Sequence, residues 1–85
     1  MKVLYSPCFV RRYKKLPDKI KNLIEDNEKI FLKNPFDKRL KTHKLTGKFK
    51  GLWSFSVGYK YRIIFEFADK DMVYLHSVGT HRIYQ

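Results

Sequence analysis

The sequence predicts a single α+β domain over residues 1–85, in the order β-α-α-β-β-β, with two N-terminal helices packed on one face of a small antiparallel sheet. Three observations predict it. Apolar residues recur at helical spacing between Pro7 and Pro35. From Trp53 onward the spacing drops to two, the period of half-buried strands. Between these halves lies a basic connector punctuated by Gly47 and Gly51.

Lys2 to Tyr5 is a short strand candidate. Ser6-Pro7 reads as a helix start, because Ser caps the first free amides and Pro suits the first turn. Phe9, Tyr13 and Leu16 then fall on one helical face. Pro17-Asp18 restarts the chain as a second helix with an apolar stripe of Ile20, Leu23, Ile24, Ile30 and Phe31, interrupted by Asn27 and ended by Pro35. So short a link predicts a helical hairpin. The connector from Lys33 to Lys50 carries Lys33, Lys38, Arg39, Lys41, Lys44, Lys48 and Lys50 against one acid, Asp37. Trp53, Phe55 and Val57 alternate with Ser54 and Ser56, and Gly58 turns the chain. Tyr59, Tyr61, Ile63, Phe65 and Phe67 alternate with Lys60, Arg62, Ile64 and Glu66. After Asp69-Lys70-Asp71 the last strand runs from Met72 to Val78, and Gly79 opens the tail. If the aromatic face of the Tyr59–Phe67 strand packs on the helices, Arg62 projects from the other face, together with Lys60 and Glu66.

Composition narrows the function. Nineteen Lys and Arg against eight Asp and Glu give a net charge of +11, a field suited to nucleic acid or to an acidic protein. With 44% hydrophobic and 16% aromatic residues the chain folds despite that charge. The single cysteine, Cys8, excludes an internal disulfide and Cys-rich zinc modules, and reads as a small, partly buried side chain. No apolar run reaches the roughly 18 residues of a membrane span, and the N-terminus lacks a signal-peptide core, so the expected location is cytoplasmic. The sequence holds no P-loop, GxGxxG, HExxH, EF-hand loop or GxSxG. The acids are scattered and His43, His76 and His81 lack metal spacing, so neither a metal nor a cofactor is expected.

These residues suit the chemistry of a metal-free ribonuclease. The RNA 2′-OH attacks its own phosphate, so a base must take that proton, an acid must protonate the departing 5′-oxygen, and a cation must stabilise the phosphorane. Histidine titrates near neutrality and serves the first two roles; arginine stays charged and its fork matches phosphate oxygens. His43, His81, Arg62, Lys44 and Lys48 make a sufficient set. Each also has a plainer reading: His43 as a loop residue, His76 as a structural strand residue, His81 as tail, Arg62 as the partner of Glu66 or another acid, and the lysines as solvated surface. Trp53 and most tyrosines read as core, whereas Tyr84 follows the last strand and can stack on a base.

Four strings in order resemble the RelE/ParE toxin superfamily, in its YafQ/RelE-like branch, over nearly the whole chain. They are Leu4-Tyr5-Ser6-Pro7 with Phe9 and the basic helix, His43-Lys44-Leu45-Thr46-Gly47 with Gly51 to Val57, Tyr61-Arg62-Ile63-Ile64-Phe65, and Val78-Gly79-Thr80-His81 with Tyr84. The resemblance implies the toxin of a type II toxin–antitoxin pair. Such a toxin is a ribosome-dependent, metal-independent messenger-RNA endonuclease acting in the A site of the 30S/70S ribosome, masked by an acidic antitoxin. It implies His81 as acid or phosphate contact, His43 as base or phosphate-positioning group, Arg62 as transition-state stabiliser and Tyr84 as a stacking group. Lys44 and Lys48, with Lys41, Lys50 and Lys60, are expected to hold the RNA backbone. YafQ-like enzymes carry a further His and an Asp where this chain has Ser56 and Lys60, which leaves the proton-transfer roles open. A ParE-like inhibitor of DNA gyrase, with the same fold and no nuclease activity, is the alternative.

Overall fold

The structure, a computed structural model, describes residues 1–80. Strand β1 (Lys2–Tyr5) leads into helix α1 (Pro7–Lys14) and helix α2 (Asp18–Lys33). A 3-10 turn (Lys38–Leu40), the two-residue strand β2 (His43–Lys44) and a second 3-10 turn (Gly47–Phe49) follow. Strands β3 (Trp53–Val57), β4 (Tyr61–Asp69) and β5 (Met72–Thr80) complete one sheet of order β1-β5-β4-β3-β2.

Ser6 starts α1 as its sequence suggests. Its hydroxyl oxygen accepts from the Phe9 amide at 2.9 Å, and its O–H donates to the His76 carbonyl, tying the helix start to β5. Helix α2 begins at Pro17 without a side-chain cap, and Asp18 in its first turn favours the free amides instead. Its stripe buries Ile24 and Phe31 completely, with Ile20, Leu23 and Ile30 packed at the margin. Phe31 stacks on Phe55 at 4.7 Å and meets Phe65 edge-on at 4.9 Å. The polar break in that stripe is satisfied, because Asn27 donates from Nδ2 to the Ser56 carbonyl at 3.0 Å. Gly58 turns the chain from β3 to β4 at φ +62°, directly under Leu23.

The order of elements and the helix-covered face agree with the sequence; the sheet corrects it in four places. First, it is mixed rather than antiparallel, because β1 pairs parallel to β5, Lys2 with Met72 through Tyr5 with Leu75. Those two strands are joined through the rest of the chain, so no hairpin constrains their direction. Second, the connector holds β2, antiparallel to β3. Third, β5 runs to Thr80, so Gly79 lies inside the strand opposite Arg62 and does not open a tail. Fourth, Tyr59 and Lys60 belong to the turn before β4, and Tyr59 is 94% exposed rather than packed on the helices.

Candidate active site and nucleic-acid interface

One face of the sheet packs on the helices; the register fixes what the other face presents. Trp53, Phe55, Val57, Ile63 and Phe65 belong to the helix-side core, so the residues between them lie on the opposite face, where Ser54, Ser56 and Ile64 are buried and Arg62 is half-buried. Across that face run two rows. His43 pairs with Ser54, Ser54 with Ile64, and Ile64 with Ser77. Beside it, Ser56 pairs with Arg62 and Arg62 with Gly79. Arg62 and His43 thus share a face, about 10 Å apart across two strands and about 7 Å along them at the backbone.

The Arg62 guanidinium donates from one Nη to the Tyr61 carbonyl at 2.9 Å and the Tyr59 carbonyl at 3.3 Å. Among the described residues it has no carboxylate partner. Glu66, the acid expected beside it, turns to His76 instead, with Nε2 to Oε1 at 2.8 Å. The cause is an irregularity in the β4–β5 register between Ile64 and Phe65, opposite His76, which sets His76 on the face away from the helices, beside Glu66 and Tyr74. Sequence reading took His76 for a structural residue; a register irregularity leaves no mark in the hydrophobic period.

His43 is exposed and its Nδ1 lies 3.0 Å from the Lys41 carbonyl. A carbonyl only accepts, so the Nδ1 position carries the proton and Nε2 of the neutral ring keeps its lone pair. The carbonyl is aimed by Lys41 itself, held at φ 52° and ψ 41° at the end of the first 3-10 turn. That turn is anchored by Asp37, which accepts from the Arg39 amide and from both Nε and Nη of its guanidinium. These bonds hold the Asp37 carboxyl well below its usual range, at about 2.

The lysines divide. Lys44, next to His43, pairs with Trp53 and therefore belongs to the other side of the sheet, with Nζ 5.5 Å from the Trp53 ring centroid. Lys44 and Lys50 line a hollow of about 420 Å³ with Thr46, Gly47, Gly51 and Trp53. Lys48 lies over Phe49, and Lys60 sits in the turn before β4. His81 and Tyr84 lie outside the described residues. Among the described residues no three His, Cys, Asp or Glu side chains come together as a metal site, and no helix is long and apolar enough to cross a membrane. Cys8 is a free thiol, half-buried. A second hollow, about 380 Å³ between α1 and α2, is lined by Tyr5, Phe9, Tyr13, Glu25 and Glu28; its tyrosines donate to the two glutamates, and burial together with Glu28 pushes the Tyr5 hydroxyl up.

No protein-family model and no curated protein matches the sequence. Solved structures do match its fold. YafQ from E. coli strain BL21(DE3) superposes with a TM-score of 0.80 at 22% identity, over 98% of this chain and 96% of that one. A YoeB/ParE toxin from Agrobacterium tumefaciens gives 0.80 at 18%, over 95% and 99%. YafQ in the E. coli DinJ-YafQ toxin-antitoxin complex gives 0.76 at 22%, over 96% and 93%.

Proposed function

We propose, from the RelE/ParE toxin fold of this chain, that it is the toxin of a type II toxin–antitoxin pair and a metal-independent endonuclease of messenger RNA in the ribosomal A site. The observation that carries the reading is Arg62, a half-buried arginine on the sheet face away from the helices with no carboxylate partner among the described residues, sharing that face with His43. A guanidinium held only by backbone carbonyls among the described residues keeps donors that suit a phosphate.

The bonds around His43 and Arg62 support the following roles. His43 Nε2, left basic by the Lys41 carbonyl, takes the proton of the 2′-OH as that oxygen attacks phosphorus. Arg62 stabilises the phosphorane. The P–O5′ bond then breaks, leaving a 2′,3′-cyclic phosphate, and His81, two positions after Gly79 in the chain, supplies the proton to the 5′-oxygen, with Tyr84 stacking beside it. Lys41, Lys44, Lys48, Lys50 and Lys60 attract the RNA backbone. The antitoxin is acidic and neutralises the +11 surface, and the pair works in the cytoplasm.

Primer extension on translated messenger RNA tests this. Wild-type protein should give A-site cuts, and Arg62→Ala should lower the cutting rate about 100-fold or more, the loss expected for one transition-state donor. Growth arrest without cuts, together with inhibition of gyrase supercoiling at stoichiometric protein, would replace this reading with the ParE-like one.

A further inference from the structure

The helix-side face carries an aromatic patch that the proposed catalysis on the opposite face does not use. Phe36, in the connector, is 56% exposed. It meets Trp53 edge-on at 5.5 Å and stacks on Phe67, itself 37% exposed, at 6.0 Å. Trp53 and Phe67 pack edge-on at 5.3 Å. Lys44 stands over Trp53, and the Lys44/Lys50 hollow adjoins the same ring.

We infer that this patch is a second RNA contact, separate from the cleavage face, which seats an unpaired base of a structured RNA on the exposed ring of Phe36, beside half-buried Trp53, with its phosphate at Lys44 and Lys50. Flat exposed rings interleaved with ammonium groups take bases and phosphates together, and stacking accepts any base. Charge supplies the complementarity. The only acid of the connector, Asp37, is paired with Arg39, so the connector side of the patch is cationic. Position supplies the separation. Lys44 lies on the opposite side of the sheet from His43 and Arg62, so a nucleotide seated here belongs to a segment other than the one being cut. The partner is the RNA of the ribosome rather than the messenger strand. The inference rests on the proposed function for both its RNA partner and the ribosome that carries it.

The sole tryptophan of the chain is part of the patch, so its emission reports occupancy. Titration of the full chain with decauridylate should quench Trp53. Phe36→Ala should weaken that binding about 10-fold, and should equally weaken co-sedimentation with 30S subunits free of messenger RNA. Phe36→Tyr should keep both, which separates stacking from any loss of folding, checked by circular dichroism. Arg62→Ala should leave the quench in place. A quench by protein that cuts no RNA would leave this contact standing while overturning the nuclease. Equal binding of wild type and Phe36→Ala would overturn the contact. So would Trp53 emission that responds to polyglutamate but not to decauridylate, which would mark the patch as a protein surface.

Discussion

At Gly58 a methyl group would meet Leu23 Cδ2 at 2.7 Å, on a backbone whose φ of +62° L-residues rarely adopt. Gly58→Ala is therefore expected to destabilise the protein by about 1–3 kcal/mol, read as a lower midpoint of denaturant unfolding. Ser6 does two jobs with one hydroxyl, capping α1 and reaching β5. Ser6→Ala should cost about 1–2 kcal/mol, with amide exchange accelerating first at Phe9. Both roles were partly legible: Ser-Pro and a lone glycine between strands are local signals. The proximity of Leu23 to Gly58 and of Ser6 to His76 was not, because each joins residues far apart in sequence. His43 was legible as a candidate base, but its tautomer was not, since that depends on where the Lys41 carbonyl points.

Among the elements, α2 is the simplest to account for. Its period of 3.6 named Ile24 and Phe31 as core, and both are fully buried. Phe31→Ala should cost about 3–5 kcal/mol, because the ring leaves a void between Phe55 and Phe65. The connector resists such reading. It has no period, and its order comes from the Asp37–Arg39 clamp and the Thr42 hydroxyl donating to the Pro35 carbonyl. That clamp makes it sensitive to acid. The Asp37 carboxyl sits at about 2 against an ordinary 3.8, so its contribution is full above pH 3.8 and disappears as pH falls through 2. A carbon-detected titration should place Asp37 near 2, and Arg39→Ala should return it toward the ordinary range. A strand of two residues is also too short to show alternation, which is why the sequence put His43 and Lys44 in one candidate set while β2 sends them to opposite sides.

For the molecule as a whole, +11 on 85 residues makes any polyanion complex depend on salt. For about three contacted phosphates on a single strand, raising salt from about 50 to about 200 mM should weaken RNA binding about 20-fold; a flat response would count against direct phosphate contact. The architecture was legible from its two periods, yet strand order was not, since a period names a strand's faces and never its neighbours. The parallel pairing of β1 with β5 has a consequence in time. The first strand to leave the ribosome waits for the last before its ladder can form, from Lys2–Met72 to Tyr5–Leu75. A half-made chain therefore lacks its finished sheet, and with it the row that sets Gly79 beside Arg62. The face that carries Arg62 is therefore assembled only once β5 has been made.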